Sequence, residues 1–507
     1  MNKIGFKNFR RFIEFKPLEY KGITFLVGRN NAGKSTMVKA LLLISDFLKS
    51  NNVKSFPFGR NMLEDANIVT YDRAKNILAK DDFIIFNYQL DNFLIDIKIS
   101  GLADATTADV HLFSIKDTEQ GFELKFEPQK TLFTIAGLPK SNVETESELD
   151  NTLLVLQEQL KAAKDELKTF DDASNSLEYF EKRGILKELE KKIKNIKDIK
   201  KSQKSNNSIF SVNAHIDVIK PLSQIFDDFV TEMLSNHTIK FNEVQSGKKQ
   251  TKQFENLKVF KEEVFGIEKS FKNFIQSIRS LSLIYLGANP AKQSALFQIR
   301  DKNNALAQAV HDFYQLRINK GEVAFEFVEK WMKVFDVGES FDIKIYAGES
   351  YEVKINSNGK LIHLADKGMG SIQAMLLIFR LASIIHKSKE YSFKPIVIIE
   401  EPELNLHPKL QGLLADLFLE VKEKHKINFI IETHSEYIIR KTQLFVKNNE
   451  YEVAPNENPL CVIYFDNEDG PYNMNYRQDG VFIQDFGSGF FDVSSQQALQ
   501  LIKKSVK

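Results

Sequence analysis

The stretch that decides the fold is PIVIIEEPELNLHPKL, Pro395 to Leu410. Its four consecutive apolar residues, 396–399, predict a short buried strand that ends on two adjacent carboxylates, Glu400 and Glu401. An unpaired buried carboxylate is costly, so this pair requires a cation, hydrogen bonds or water. The alternative is that the strand ends in solvent and both carboxylates are hydrated. Motifs elsewhere in the chain distinguish a buried, balanced pair from a hydrated one.

The length and composition predict a globular protein of two or three domains. Of 507 residues, 43% are hydrophobic and 27% are charged. The formal net charge is only +1, so a nucleic-acid contact would require a local basic patch. The single cysteine, Cys461, excludes an intramolecular disulfide and a cysteine-rich zinc site. The N-terminus is charged and the longest apolar stretch is interrupted by Arg380, so we expect a cytoplasmic protein without a membrane segment.

The sequence GRNNAGKS, Gly28 to Ser35, matches the phosphate-binding pattern G-x-x-x-x-G-K-[ST] at every fixed position. It follows a β-rich run, residues 23–27, and precedes the helical run TMVKALLLISDFL. The glycines allow backbone N–H groups and the helix N-terminus to face phosphates. We therefore predict a nucleotide-binding P-loop, in which Lys34 reaches the β- and γ-phosphates and Ser35 is a ligand of Mg²⁺.

A P-loop explains the two carboxylates that follow residue 399. In the Walker B arrangement, an apolar strand beside the P-loop strand ends on an acidic residue that holds Mg²⁺, and a following glutamate polarises the attacking water. We expect Glu400 to take the first role and Glu401 the second. The cation that balances the pair would then be Mg²⁺, helped by Lys34.

Two further stretches belong to the predicted site. IIETHSEYIIR places His434 just after another apolar strand, where its side chain would reach a γ-phosphate; the alternative is a packing histidine. LADKGMGSIQ, Leu364 to Gln373, is a glycine-rich turn that leads into the apolar run AMLLIFRLASII. This turn is either a capped helix start or a second helix N-terminus that faces phosphate.

Strands dominate the N-terminal part, and helical periodicity follows. Alternation predicts a strand, a turn and a strand before the P-loop, and further strands over 83–98 and 108–135. Leucines and isoleucines at steps of three and four between residues 153 and 196 predict a short antiparallel helical hairpin. Residues 207–280 are expected to be mainly helical, 281–287 to form a buried strand, and 341–355 a small hairpin.

The two limbs of the predicted helical hairpin carry opposite charge. Residues 141–172 have nine acids against three lysines, and residues 187–204 have eight lysines against three acids. This difference favours antiparallel pairing of the limbs. The alternative is that the lysine-rich limb contacts a phosphate backbone.

The order of these motifs resembles that of the ABC-type ATPases of the SMC, RecF and OLD-like group. The resemblance rests on the P-loop, the helical insertion, the glycine-rich signature, EEPELNLHP and THS, and covers about residues 1–45 and 360–440. YLGANP and DFGSGFFD are also similar to the bacterial defence ATPases of this group. The resemblance implies an α/β ATPase head with SMC-like chain connectivity, in which N- and C-terminal segments form the head around a short coiled-coil insertion.

The resemblance also implies a role for each matching residue. Leu404 to Pro408 would be the D-loop, and the glycine-rich signature would act on the nucleotide of a facing subunit. The implied catalytic residues are Glu401 and the switch histidine His434, and the metal ligands are Ser35 and Glu400. The implied nucleotide-binding residues are Gly28, Arg29, Asn30, Asn31, Ala32, Gly33, Lys34, Ser35, Thr36, Gly368, Gly370 and Ser371.

The sequence departs from the family pattern at three points. Glu400 stands where aspartate is commoner, which would alter the metal geometry slightly. DKGMGSIQ lacks the transporter-type L-S-G-G-Q, which argues against a transporter ATPase. For the Q-loop glutamine, Gln89 is only a weak candidate.

Five segments follow from these patterns. They are 1–140, the first part of the head with a β-rich lobe; 141–206, the hairpin insertion; 207–280, a helical segment; 281–455, the second part of the head; and 456–507, a strand and helix tail. Only 73 residues follow His434, and no metal cluster is evident there, which disfavours a nuclease domain of the chain's own.

The resemblance implies an ATPase that uses ATP and Mg²⁺ and forms a homo-oligomer of heads. In this interpretation the head regulates a separate effector nuclease in anti-phage defence, as the ATPase subunits of Septu-type systems do. The alternative is a repair ATPase, similar to RecF or Rad50, that contacts DNA itself.

Overall fold

The computed structural model describes most of the chain. The described residues are 2–58, 68–137, 211–215, 219–235, 251–288, 296–299, 304–391, 395–448, 458–466, 470–487 and 493–504, together with positions 160, 164, 190, 193, 194, 294, 301 and 491.

Nineteen strands and ten helices lie within these residues. The first half contains β1 (Asn2–Phe9), β2 (Phe12–Tyr20), β3 (Ile23–Gly28), α1 (Lys34–Leu48), β4 (Ser55–Pro57), α2 (Tyr71–Ala74), β5 (Ile84–Leu90), β6 (Phe93–Ser100), β7 (Thr107–Asp117), β8 (Phe122–Glu127), β9 (Leu132–Gly137), β10 (Ser211–His215), α3 (Leu222–Ser235) and α4 (Thr251–Ser280). The second half contains β11 (Ser282–Leu286), β12 (Phe297–Gln298), α5 (Ala305–Gln315), α6 (Val323–Val334), β13 (Ser340–Tyr346), β14 (Ser350–Ser357), β15 (Lys360–His363), α7 (Met369–Tyr391), β16 (Pro395–Glu400), α8 (Pro408–His425), β17 (Asn428–Glu432), α9 (Glu436–Lys447), β18 (Leu460–Phe465), β19 (Pro471–Met474) and α10 (Val493–Lys504).

The central sheet combines strands from both ends of the chain. Its order is β11-β16-β17-β3-β18-β19; neighbouring strands are parallel except at β19, which is antiparallel. The strand β3 from the N-terminal part lies between β17 and β18 from the C-terminal part. The predicted α/β class is therefore confirmed, as is a head assembled from both ends of the chain. The segment predicted as a tail contributes β18, a direct neighbour of β3.

Continuous apolar runs form these strands because helices cover both faces of the sheet. Residues in β3 and β18 are all buried. Successive side chains of a strand point to opposite faces, so alternate residues enter two separate cores. One core, which contains α1, takes Leu26, Ile398, Ile430 and Ile463. The other, which contains α5 to α9, takes Phe25, Val397, Phe429 and Val462.

The expected position of the Walker B strand is wrong in one respect. The strand β16, which ends on Glu400, does not lie beside the P-loop strand β3, because β17 is hydrogen-bonded between them. The register pairs Glu400 with Glu432, and Glu432 with Leu26. Local sequence fixes the strands but not their lateral order, and this order changes which carboxylate lies nearest the P-loop.

A β-rich lobe flanks the P-loop, as the alternating sequence predicts. Its strands follow the order β10-β9-β8-β7-β6-β5-β1-β2, and β4 pairs with β7. Alternate residues of β5 and β6 are buried. Phe47 of α1 packs on this sheet, with its ring 5.1 Å from that of Phe56 and 5.3 Å from that of Phe113. The helix that follows the P-loop is thus held between the lobe and the central sheet.

The apolar helix α7 is a core element. Residues Met369–Glu390 are long and apolar enough to cross a membrane by composition, but 67% of the most apolar window is buried inside the protein. Arg380 interrupts the apolar run and its Nη1 lies 2.9 Å from Asp312 Oδ2 of α5. Packing against α5 and α6 therefore accounts for the apolar character of this helix.

The remaining predictions have mixed outcomes. The strand over 281–287 and the hairpin over 341–355 are confirmed as β11 and as β13 with β14. The segment 207–280 is helical in α3 and α4 but begins with the strand β10, which extends the lobe. The predicted helical hairpin lies almost wholly outside the described residues. Of its few described positions, Lys164 Nζ and Glu190 Oε1 are 3.1 Å apart, and the hairpin stays a prediction.

Candidate nucleotide-binding site

The loop from Gly28 to Ser35 joins β3 to α1 with a backbone that requires glycine at two positions. Gly28 has φ 149°, and a Cβ there would lie 2.5 Å from the carbonyl oxygen of Phe465 in β18. Gly33 has φ 106°, and a Cβ there would lie 2.4 Å from the ring of Phe12. The first glycine permits close approach to β18, and the second permits the turn into α1 beneath the β1–β2 connection.

Lys34 begins α1 and folds back over this loop. Its Nζ donates hydrogen bonds to the carbonyl oxygens of Gly28, at 3.0 Å, and of Arg29, at 3.1 Å. The same ammonium lies 3.8 Å from Glu432 Oε1, and the lysine side chain is only 3% exposed. Burial lowers the pKa of Lys34, while the nearby glutamates oppose that change. The Lys34 ammonium therefore has partners that a phosphate can replace.

The hydroxyl of Ser35 contacts a carboxylate that the sequence analysis did not assign. Ser35 Oγ lies 3.1 Å from Oε1 and 2.9 Å from Oε2 of Glu432. The carboxylate within hydrogen-bond distance of the predicted metal ligand is therefore that of Glu432 at the end of β17, and Glu400 lies one strand further away.

Other predicted P-loop residues surround these two side chains. Ala32 is buried, and its N–H donates to the carbonyl oxygen of Arg29 at 3.2 Å. Asn31 has a left-handed backbone with φ 63° and, like Thr36, lines the adjoining cavity. Asn30 is exposed on the same loop. The predicted residues from Gly28 to Thr36 therefore form one continuous structure around the N-terminus of α1.

Three glutamates converge where β16 and β17 end. Glu401 adopts a left-handed backbone with φ 47°, and its N–H donates to the carbonyl oxygen of Glu432 at 2.8 Å. Such a backbone costs about 1–2 kcal/mol for a residue that is not glycine, so the turn is held by its surroundings. Burial raises the pKa of Glu432 to about 7; Lys34 and the Ser35 hydroxyl oppose this effect, and the charges of Glu400 and Glu401 add to it.

His434 lies beside this cluster, in a turn fixed by hydrogen bonds. Its N–H donates to Glu403 Oε1 at 2.7 Å. The next residue, Ser435, caps α9 by accepting from the N–H of Ile438 at 3.3 Å. Burial lowers the pKa of His434, and the charge of Lys34 acts in the same direction. Burial and the charge of Lys34 therefore both favour the neutral imidazole, and the charge of Glu401 opposes them.

The glycine-rich signature forms the first turn of α7. Gly368 precedes the helix at an exposed position, and a Cβ there would meet no atom within 4 Å. A Cβ on Gly370 would lie 2.8 Å from the carbonyl oxygen of Asn405, within the predicted D-loop. Asn405 itself has a left-handed backbone with φ 62°. The signature and the D-loop are thus packed together, and Ser371 lies in the same first turn of the helix.

A cavity of about 610 Å³ extends from the P-loop along the β-rich lobe. Two carboxylates, Asp72 and Glu432, line it, and so do the exposed apolar residues Ile77 and Leu78. Its cationic lining consists of Arg10, Arg11, Lys34, Lys39, Arg73 and Lys75. Six cations against two acids, in a chain whose net charge is +1, mark this cavity as a local site for anions.

Sequence reasoning missed several of these residues. Arg10 and Arg11 form the connection between β1 and β2, where the sequence shows only alternation of apolar and basic residues. Lys39 lies one helical turn beyond Ser35, so helical spacing places both on one face of α1. Gln89, the weak Q-loop candidate, lies in β5, donates from Nε2 to the carbonyl oxygen of Asp91 at 3.3 Å, and is not among the residues that line the cavity.

The oxygen ligands at this sheet edge fit Mg²⁺ brought in by a nucleotide. Within the part of the chain that is described, no group of three or more His, Cys, Asp or Glu residues is arranged to hold a metal ion. Mg²⁺ commonly takes only one or two carboxylates and completes its coordination with phosphates and water. Ser35 and the glutamates that end β16 and β17 supply ligands of that kind.

These features define a class of protein. A parallel sheet with a P-loop after an inner strand, and acidic residues at the ends of the strands alongside, is the structure of a P-loop nucleoside triphosphatase. A family model described as an AAA ATPase domain matches residues 1–439, so the chain belongs to this ATPase family. No curated protein sequence matches the chain.

Two solved structures show similarity over nearly the whole chain. One is the Smc head domain with an extended coiled coil from Pyrococcus furiosus, bound to the C-terminal domain of ScpA, with 10% identity, 100% coverage of both chains and a TM-score of 0.35. Another is the SMC head domain from Thermotoga maritima, with 10% identity, coverage of 94% of this chain and 98% of the other, and a TM-score of 0.32. The family assignment rests on the sequence match over residues 1–439.

The raised pKa of Glu432 predicts a pH-dependent stability. In the unfolded chain this carboxyl titrates near 4.5, and in the folded protein near 7. Between these values the folded state retains a proton that the unfolded state has released, so the stabilisation present below pH 4.5 is lost as the pH rises to about 7. Glu432→Gln removes this loss, on the order of 3 kcal/mol. In thermal melts without nucleotide, the Tm of the variant relative to wild type should rise from pH 4.5 to pH 8.

The matched control is Glu119→Gln, at an exposed position in the turn between β7 and β8. Its Tm difference from wild type should stay nearly constant over the same range. If the Tm difference between Glu432→Gln and wild type stays constant or falls with rising pH, the pKa of the Glu432 carboxyl is not raised by burial.

Proposed function

We propose that this ATPase binds Mg-ATP in the P-loop cavity, hydrolyses it with Glu401 as general base, and uses ATP to join two heads. The observation that carries the proposal is the convergence of Lys34, Ser35 and the glutamates of β16 and β17 at the mouth of a cationic cavity. The predicted cofactors are ATP and Mg²⁺.

The lining of the cavity suits the two ends of ATP. The triphosphate would lie on the P-loop and the N-terminus of α1, where the helix N-terminus and the ammonium of Lys34 attract anions. The exposed side chains of Ile77 and Leu78, which are 92% and 71% exposed, offer an apolar rim for the base. The other cationic side chains that line the cavity would balance the phosphate charge that lies beyond the P-loop.

The side chains at the mouth of the cavity have distinct roles in the proposed hydrolysis. Lys34 exchanges its two carbonyl partners for phosphate oxygens. Glu401, whose backbone turn is fixed by Glu432, accepts the proton of the attacking water. His434, neutral because burial and Lys34 lower its pKa, donates a hydrogen bond to a phosphate oxygen without adding charge. Mg²⁺, held at Ser35 and the strand-end glutamates, would neutralise charge on the phosphates.

Two substitutions separate binding from hydrolysis. Lys34→Ala should abolish measurable ATP binding, because it removes the mobile cation of the P-loop. Glu401→Gln should bind ATP with unchanged affinity but lower the turnover rate about 100- to 10,000-fold, because the amide keeps the shape and cannot accept a proton. Calorimetry measures binding and phosphate release measures turnover. Lys16→Ala, at an exposed position in β2, is the control and should behave as wild type.

Unchanged ATP affinity in Lys34→Ala would refute the P-loop assignment. If Glu401→Gln retains turnover while Glu400→Gln loses it with binding intact, the roles of these two glutamates are reversed.

The start of α7 supports assembly of two heads. A helix N-terminus presents unpaired N–H groups that suit a phosphate. Here Gly368 and Met369 are exposed, and a Cβ on Gly368 would face open space. The chain already has a P-loop for its own nucleotide, so this helix N-terminus is available to the nucleotide of a second copy. ATP would then lie between the P-loop of one head and the signature of the other.

Mixing two variants tests this arrangement. A side chain at Gly370 would clash with the carbonyl oxygen of Asn405 and could disturb the fold. The substitution is therefore made at Gly368, where a Cβ faces open space, as Gly368→Arg. Gly368→Arg should bind ATP normally but lose ATP-dependent dimerisation and turnover. Mixed with Lys34→Ala, it should recover part of the wild-type turnover, because one intact composite site re-forms. Light scattering with and without ATP measures the mass.

Normal turnover by monomeric Gly368→Arg would show that the signature is only the capped start of a core helix. No recovery on mixing, when light scattering shows that the two variants form dimers, would exclude a composite site.

The proposed role of the paired heads is to control a separate effector nuclease in anti-phage defence. Support for this step comes from the resemblance of EEPELNLHP, THS, YLGANP and DFGSGFFD to bacterial defence ATPases. The alternative is a DNA-binding repair ATPase. This function requires a local basic patch, and the cationic side chains of the cavity would supply one if those that do not contact the nucleotide bind DNA.

A phage challenge distinguishes these functions. Cells that carry the protein with its neighbouring genes should resist phage, and Glu401→Gln should lose that resistance while the protein level stays unchanged. Plaque counts measure the effect. ATP-dependent binding of duplex DNA by the purified wild-type protein alone, with no protection of cells, would instead favour the repair function.

A further inference from the structure

Glu432 is an acidic side chain in direct contact with the P-loop. It accepts from Ser35 Oγ with both carboxylate oxygens and lies 3.8 Å from Lys34 Nζ. Its side chain is only 10% exposed. It lies outside the EEPELNLHP motif, which contains Glu400 and Glu401.

Strand order explains why this contact falls to Glu432. Neighbouring strands are about 4.8 Å apart, so β17 lies about 5 Å from the P-loop strand and β16 about twice as far. Both strands run parallel to β3 and end at the same edge of the sheet. The carboxylate at the end of β17 therefore reaches the hydroxyl of Ser35 first, and Glu400 stands behind it.

A purely structural role does not require a charge at this position. Lys34 already has two carbonyl partners, and a neutral glutamine could accept from Ser35 equally well. A buried carboxylate beside Glu400 and Glu401 instead adds repulsion and desolvation. Mg²⁺ that arrives with a nucleotide commonly takes only one or two carboxylates, and a carboxylate in contact with the Ser35 hydroxyl is a ligand of that kind.

We propose that Glu432 is a positioning residue for the magnesium ion of Mg-ATP, and that it orients the metal or its bound water at the Ser35 hydroxyl. The inference rests on the proposed ATP-binding function and deepens it. Once the nucleotide draws Lys34 away, the carboxylate oxygens keep the Ser35 hydroxyl oriented and supply negative charge on the metal side of the site. Glu400 then supports the ion from the next strand.

A simpler role for Glu432 predicts different behaviour. If the carboxylate only occupies the P-loop until a nucleotide arrives, it competes with phosphate for Lys34 and Ser35. Its removal would then tighten ATP binding equally with and without metal. If the carboxylate positions the metal, its removal leaves ATP binding without metal unchanged or tighter. Only the additional ATP affinity that Mg²⁺ provides is then weakened.

The experiment measures ATP affinity by calorimetry in Mg²⁺ and in EDTA, for wild type, Glu432→Gln, Glu432→Asp and the control Glu119→Gln. A second readout is the affinity for Mn²⁺ by electron paramagnetic resonance with a non-hydrolysable ATP analogue. Glu432→Gln should bind Mn²⁺ about 10- to 100-fold more weakly and lose most of the gain in ATP affinity that Mg²⁺ gives wild type. Glu432→Asp, which retains the carboxylate, should recover part of both.

Binding of ATP in EDTA by Glu432→Gln also shows that the variant is folded. An unchanged Mn²⁺ affinity overturns the inference, as does ATP binding that tightens equally in both media. In either case the proposed ATPase function stands, because wild type still binds ATP. If wild type binds no ATP in either medium, the proposed function itself fails and the inference falls with it.

Discussion

The site depends on the parallel pairing of β3 with β17 on one side and β18 on the other. This pairing brings Ser35 within 2.9 Å of Glu432, although 397 residues separate them in the sequence. It also shapes the P-loop, because Gly28 approaches the carbonyl oxygen of Phe465 in β18 more closely than any side chain would permit. Both faces of the sheet are covered, so the inner strands are mostly apolar and the acidic residues Glu400 and Glu432 stand where β16 and β17 end. The concentration of Lys34, Ser35 and the glutamates at one edge follows from that division.

The parts of the site that could be predicted are those encoded by local sequence. The P-loop needs fixed residue types at fixed spacing, and two glutamates after an apolar strand are visible without knowledge of the fold. Glu432 has the same local signal, since it also ends an apolar strand, but its contact with Ser35 depends on lateral strand order. Arg10 reaches the cavity from the connection between β1 and β2, and Arg73 and Lys75 reach it from α2 and the residue after that helix. No spacing rule in the sequence connects them to the P-loop.

The fold likewise contains some elements that local sequence predicts and others that only pairing between distant segments reveals. Strands of the lobe bury alternate residues, and this alternation is visible in the sequence of β5 and β6. The strand β10, with the sequence SVNAH, has too few apolar residues to be recognised within a segment predicted to be mainly helical, and its pairing with β9 defines it as a strand. The glycine-rich turn before α7 was recognisable, but the contact of Gly370 with Asn405 joins two motifs whose proximity only the folded chain shows.

The position of β3 has a consequence for synthesis. This strand is complete by Gly28, yet its neighbours begin only at Asn428 and Leu460. At translation rates of about 5–20 residues per second, roughly 20–80 s pass before the first neighbour emerges from the ribosome. The antiparallel strands of the lobe are closer in sequence and can pair earlier, which shields one side of α1 while β3 still has open edges. The contact between Ser35 and Glu432 therefore cannot form on a growing chain until β17 has been synthesised.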